Sequence, residues 1–285
     1  MIRKVRNYLL QLRSLQRINM AMSRGAATST LRTIDPTDPD TWEFSGFSQN
    51  GEDGIIDVLA ARLRSHNRYF IEIGASDGLE NNTSWLALAR RWSGIWVEGD
   101  PQVSEWSTWL FSSLNYGLET VPLFVDRDNI GALAKRALHL DPDVFSLDID
   151  GTDYYLVEAV FEFGFRPKIF VVEYNSAFGP DRAVTVPYDP AFRRGQRPND
   201  DLYYGCSLSA WRTLFTHYGY SFVTVDLNGV NAFFVRTEEF AEGFIESVRG
   251  TPFRENFAQL RQHRQGWERQ MSQIEGRPLI EVGGK

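Results

Sequence analysis

Along the chain, short apolar runs alternate with stretches whose apolar residues recur at helical spacing. Glu52–Leu63 carries Ile55, Ile56, Val58, Leu59 and Leu63 near a 3.6-residue period and predicts a helix. Arg68–Ile73 is a short apolar run closed by Gly74 and predicts a strand. The same reading gives a helix over Trp85–Arg91, strands over Gly94–Val97 and within Leu118–Val125, and a helix over Ile130–Leu138. A strand over Val144–Ile149, a helix from about Tyr154 to Phe163 and a strand over Lys168–Glu173 follow. These runs lack the apolar–polar alternation of a sheet with one wet face, so helices should cover both faces. Repeated strand–helix order predicts a doubly wound, mainly parallel α/β sheet.

The pattern changes after residue 200. Leu208–His217 reads as a helix, and Ser221–Asp226 and Asn231–Arg236 read as strands joined through Leu227-Asn228-Gly229-Val230. Asn-Gly is a hairpin signal, so an antiparallel pair should close the sheet. Beyond Thr237 the chain looks helical and peripheral, with its last ten residues loose. At the other end, the prolines of Asp35-Pro36-Thr37-Asp38-Pro39-Asp40 mark a linker. Three regions result: an N-terminal arm and linker over 1–40, a core domain over 41–240 and a C-terminal helical extension over 241–285.

Charge sharpens that division. Residues 1–34 hold seven of the 30 basic residues and none of the 37 acidic ones, leaving the remainder at 23 basic against 37 acidic. A basic arm thus joins an acidic body. The acidic body argues against nucleic acid as a partner, since phosphates need basic surface. Ile2, Val5, Leu9, Leu12 and Leu15 could line one helix face in the arm, which points to contact with a protein partner or a membrane surface. Arg13 and Arg17 interrupt any secretory apolar core, and no run approaches the roughly 20 apolar residues of a membrane span. The single cysteine, Cys206, allows no internal disulfide or cysteine metal cluster. A cytoplasmic location, with peripheral membrane contact as the alternative, fits this pattern. The four histidines have no ligand spacing.

Candidate chemistry gathers at strand ends. Phe70-Ile71-Glu72-Ile73-Gly74-Ala75-Ser76-Asp77-Gly78 runs a strand into two glycines four residues apart, where the backbone can turn and approach a ligand. That spacing is not GxGxxG, which disfavours a nicotinamide fold. Glu98 ends the next strand, 24 residues after Gly74, where a carboxylate can accept both hydrogen bonds of a ribose diol. Asp126, after the third strand, has a carboxylate that could accept from an exocyclic amine or cap a turn. Asp148 and Asp150 share a face at one strand end, as do Glu173 and Asn175 at the next. Such crowded acids need a cation or raised pKa values. They could serve as general base and acceptor-orienting groups, or Asp148, Asp150 and Glu173 could hold Mg²⁺ or Mn²⁺. Ser48-Gln49-Asn50-Gly51-Glu52-Asp53 either caps the first core helix or forms a flap over a cofactor, with Gln49 facing it. Tyr174–Arg194 reads as a long loop whose Phe178, Tyr188 and Phe192 are candidate lid aromatics.

Taken together, these segments resemble the FkbM-like branch of S-adenosylmethionine-dependent methyltransferases over roughly residues 46–240. The residues that carry the likeness are Ser48–Asp53, Phe70–Gly78, Trp96–Asp100, Phe145–Gly151, Ile169–Asn175, Tyr204–Leu208 and Asn228–Val235. The resemblance implies a Rossmann-like fold and transfer of a methyl group to a hydroxyl of a sugar, glycan or natural product. By position it gives Gly74 and Gly78 to the cofactor loop and Glu98 to the ribose, and it sets a residue near Asp126 against the adenine; Gln49, Glu72, Ala75, Ser76 and Asp148 are further candidates for the cofactor pocket. Asp150 stands where the family pattern has Glu. Two other readings stay open. A metal-dependent hydrolase or nucleotide-sugar enzyme could use the same acids, and a non-catalytic partner protein could retain the fold.

Overall fold

The computed structural model describes residues 2–195 and 201–283, and the side chains from residue 9 onward. A 30-residue helix, α1 (Ile2–Leu31), precedes the alternating region. Then follow α2 (Glu52–Ala61), β1 (Tyr69–Ile73), α3 (Ser84–Leu88), β2 (Ser93–Glu98), α4 (Pro101–Phe111), β3 (Leu118–Pro122), α5 (Ile130–Arg136), β4 (Val144–Leu147), α6 (Asp153–Glu162) and β5 (Ile169–Glu173). The C-terminal part contains β6 (Val184–Thr185), α7 (Leu208–His217), β7 (Ser221–Val225), β8 (Asn231–Val235), α8 (Phe244–Ser247), α9 (Phe257–His263), α10 (Trp267–Gln273) and β9 (Ile280–Glu281).

Seven strands form one sheet in the order β3-β2-β1-β4-β5-β8-β7. The first five are parallel, and β8 pairs antiparallel with both β5 and β7. This is the expected Rossmann-like sheet, with the hairpin inserted into its edge rather than set apart from it. Alternate residues of each buried strand feed two cores. Ile71, Ile73, Ile95, Val97, Phe145, Leu147 and Phe170 face α5, α6 and α7. Phe70, Trp96, Val144, Ile169 and Val171 face α1 to α4 and α8. Burial on both sides is the physical reason the strands read as unbroken apolar runs.

Three local features depart from the sequence reading. The chain turns into α4 through Asp100, whose side chain accepts from the backbone N of Gln102 and Val103, with Pro101 in the first turn. The cap signal Asp-Pro was present, but half of the face that α4 buries is serine, Ser104 and Ser107 beside Leu110 and Phe111, while Trp109 is exposed. The proline-rich segment after α1 is packed down: the Trp42 indole donates to Asp35 O at 2.6 Å, and Arg254 pairs with Asp40 at 2.5 Å. Ile18 and Ala21 of α1 are buried in the same core as Trp42 and Trp85, so the second half of the helix is built into the body. The chain end is also tied down as far as it is described. β9 pairs with β6, and Val282 N donates to Ala183 O at 2.9 Å. With α10, this ribbon encloses a third small core of Ala177, Phe178, Val184, Val186, Leu202 and Ile274, which roofs the carboxyl end of β5. Among the described residues, no helix is long and apolar enough to cross a membrane.

Candidate active site

Strand order reverses between β1 and β4, which opens a crevice at the strands' carboxyl ends. Gly74 sits at that seam with φ +88°, and a Cβ placed there would lie 1.7 Å from Asp148 O. Only glycine lets the two strand ends approach so closely. A cleft of about 780 Å³ opens above them. Gly74, Ser76, Glu98, Asp126, Asp148 and Asp150 all contribute to its wall, with Phe124, Tyr188, Phe192, Arg193 and Arg194 around them.

The Glu98 carboxylate is held from both sides. Ser76 N donates to Oε2 at 2.9 Å and Asp100 N donates to Oε1 at 2.8 Å. Each oxygen keeps a second lone pair for a ligand hydroxyl. Ser76 reaches this position with φ +50°, a conformation that non-glycine residues seldom adopt and that gathers at binding loops. Asp126 caps its turn, as one of its two readings has it. Its Oδ1 accepts from Asp128 N and Asn129 N, each at 2.9 Å, and the residue also lines the cleft.

Other residues of the glycine loop have different roles. Gly78, at φ +75°, has its missing Cβ turned towards Trp96 and Phe111, 2.6 and 2.8 Å from where it would stand. Ala75 is buried in that same core. Both shape the loop from behind, and neither belongs to the cleft wall. Glu72 is buried and accepts from Asn82 N at 2.9 Å and from Thr83 N and Oγ1 at 3.1 and 2.5 Å, which fixes the turn after the loop. Burial pushes its carboxyl up to about 7.

A smaller pocket of about 70 Å³ meets the cleft at Gly74 and Asp148. Gln49, Asn50, Glu52, Glu72, Glu80 and Asn231 line it, with no basic residue in its wall. Asn231 Oδ1 is buried there without a hydrogen-bond partner. The Ser48–Asp53 segment is both a cap and a wall. Asp53 Oδ2 accepts from Gly46 N, Phe47 N and Ser48 N, while Ser48 Oγ accepts from Asp53 N. Gln49 donates towards Glu80 at 3.4 Å at the pocket mouth.

The acidic residues converge on the far side of the seam. Asp148, Asp150 and Glu173 each place one carboxylate oxygen within 4.8 Å of the others. Burial, with Asp150 and Asp153 close by, pushes the Asp148 carboxyl up to about 7. Burial and the negative charges of Asp148 and Asp150 hold Glu173 well above its ordinary range. Asp153 holds the turn between them by accepting from Ile149 N and Gly151 N, both at 2.9 Å. Asp150 itself stands at φ +52°. Asn175 is turned elsewhere. Its amide donates to Leu202 O at 2.8 Å and Tyr204 O at 3.0 Å, and its oxygen accepts from Ala177 N at 3.0 Å. It therefore holds the segment that carries Tyr204.

Sequence reasoning missed two residues of this side. Tyr204 is buried and donates to Glu173 Oε1 at 3.1 Å. Arg194 donates to Asp150 Oδ1 and lies 3.6 Å from the Tyr204 ring centre. The available signal was the pair Arg193-Arg194 in an aromatic-rich loop of an otherwise acid-rich body. Among the lid candidates, Tyr188 and Phe192 line the cleft, whereas Phe178 is buried in the third core.

No protein-family model matches the chain, and no curated protein matches it. Solved structures do overlap it. The O-methyltransferase TomG from Streptomyces achromogenes, involved in tomaymycin synthesis and solved with S-adenosylmethionine, is 14% identical over 76% of this chain and 95% of its own, at a TM-score of 0.44. An O-methyltransferase from Bacillus cereus in complex with SAH is 12% identical over 77% of this chain and 89% of its own, at 0.39. The METTL16 methyltransferase domain is 14% identical over 42% of this chain, at 0.32, and the chain spans 49% of that domain. The fold itself is established by the strand order of the sheet.

Proposed function

We propose that this chain is an S-adenosylmethionine-dependent methyltransferase acting on a hydroxyl of a sugar, glycan or natural product. The observation that carries the reading is the Glu98 carboxylate, held by two backbone amides at the end of β2 and facing a cleft that begins at Gly74. A ribose diol is the ligand group this arrangement suits, because a fixed carboxylate accepts two hydroxyl hydrogen bonds. The cleft volume lies within the range of small-molecule sites, ~300–1,000 Å³. The contiguous acidic and amide-lined pocket suits the ammonium end of an amino acid, reached past Gly74 and Asp148.

The donor supplies a methyl group with a neutral thioether as its leaving group. The protein's own task is then to align the acceptor and remove its proton. Asp148, with its carboxyl pushed up to about 7, is suited to take that proton near neutral pH. Asp150 and Glu173 complete the acidic wall, and Asn175 positions the Tyr204 backbone behind it. The three carboxylates also offer the hard oxygen donors that Mg²⁺ or Mn²⁺ prefers. A metal-dependent hydrolase on this frame would bind the metal and no adenosyl compound.

Calorimetry with S-adenosylmethionine, in Mg²⁺ and in EDTA, tests the reading. One donor bound per chain is expected, together with release of S-adenosylhomocysteine when hydroxylated sugars and natural products are offered. A folded protein that binds no donor under either condition would refute it.

A further inference from the structure

We infer that Arg194 is the resident cation of the acidic cluster, so that Asp148, Asp150 and Glu173 work around a guanidinium rather than around a divalent metal ion. The inference rests on the methyl-transfer reading of the cleft and decides what the cluster does there. Three carboxyl groups with oxygens inside 4.8 Å, one of them buried, repel one another. They stay together only if protons or a cation answer that charge. The chain brings its own cation. The Arg194 guanidinium donates to Asp150 Oδ1, and its Nε donates to Asp201 O at 3.0 Å. Its flat face lies on Tyr204, whose hydroxyl donates to Glu173 Oε1 at 3.1 Å.

The stack is anchored from behind. Gln259 Nε2 donates to the Tyr204 hydroxyl oxygen at 3.2 Å, and Ser176 Oγ donates to Gln259 Oε1 at 3.1 Å. Asn175 holds the Tyr204 backbone. Arg194, carried on the loop that follows β6, is thus laid on a platform supported by β5 and α9. A planar guanidinium can stack on the ring and bond a carboxylate at once, which an ammonium does far less well. The donor set suits Mg²⁺ or Mn²⁺ chemically, but one of its three carboxylates is already committed to Arg194.

The test is Mn²⁺ titration of the full chain, read by the loss of free-Mn²⁺ electron paramagnetic resonance signal, for wild type, Arg194→Gln and Arg194→Lys. Wild type should leave the ion free, and Arg194→Lys, which keeps the charge but not the stacked guanidinium, should bind it less tightly than Arg194→Gln does. Arg194→Gln should bind one Mn²⁺ at least about tenfold more tightly than wild type, and adding Asp148→Asn should abolish that binding. Equal affinity in wild type and Arg194→Gln, or no binding to a folded Arg194→Gln, overturns the inference. If Arg194→Gln fails to fold, wild type decides alone: an Mn²⁺ ion lost on Asp148→Asn overturns the inference, and no bound ion supports it. Donor binding in EDTA is measured in parallel. Its absence would sink the methyl-transfer reading, whereas the Mn²⁺ result bears only on Arg194.

Discussion

The two sides of the β1–β4 seam are built in different ways. On the β1–β2 side, backbone does the positioning: Gly74 allows the close approach, and two amide N–H groups hold Glu98. Apart from Asp148 O, against which Gly74 closes, every participant lies within 27 residues, between Gly74 and Asp100. On the β4–β5 side, side chains do the positioning. Asp148 and Asp150 meet Glu173 from the next strand, Arg194 and Tyr204 from the roof, and Gln259 from α9. The glycine-loop side is a local motif, and the acidic side is a tertiary assembly. The first should fail through geometry and the second through charge.

Gly74→Val is the most damaging test of the local side. Its side chain would drive into Asp148 O at a backbone angle that valine avoids, for a loss of roughly 3 kcal/mol or more. Urea unfolding would show it, and wild-type stability in the variant would break the account of the seam. On the acidic side, Asp148→Asn should cut turnover by about 10²–10⁴-fold while donor affinity changes only a few-fold. Equal loss of both, in paired kinetics and calorimetry, would move Asp148 into the donor pocket.

That contrast also explains what the sequence could reveal. The strands, the hairpin and most helices were legible because each is a short-range pattern of apolar spacing and breakers. Glu98 and Gly74 were legible for the same reason, since strand end and glycine turn are neighbours in the chain. The Tyr204–Arg194 stack was not, because its meaning depends on Glu173 and Asp150, 31 and 44 residues away. Gly78 shows the opposite problem. Its spacing from Gly74 suggests a ligand loop, but the space it leaves is filled by Trp96 and Phe111. Asn175 likewise shares a strand end with Glu173, yet its amide is used up by the backbone of residues 202–204. The ribbon of β6 and β9 joins residues almost a hundred positions apart, and two-residue strands carry no period to read.

Smaller effects sharpen the comparison. Glu98→Ala should weaken donor binding by about 10–100-fold, roughly the worth of hydrogen bonds to a charged group, with little change in melting temperature. An unchanged dissociation constant would place the ribose elsewhere. The pH dependence of stability should be gentler still. Burial above all pushes Asp53, Glu72, Asp148 and Asp226 up to about 7 and Asp153 to about 6. Between their unfolded values near 4 and these folded values, the native state holds protons that the unfolded chain has released. Stability should therefore fall as pH rises from about 4 to 7. A melting temperature several degrees lower at pH 8 than at pH 5 is expected, and a rise over that interval would show that these carboxyls are not strained by burial.

The most direct test of the central claim is a crystal structure of the protein with S-adenosylhomocysteine. The ribose hydroxyls should donate to Glu98, with the amino-acid end passing Gly74 towards Asn231. An adenosyl group bound outside the cleft, or a ribose with no contact to Glu98, would contradict the account.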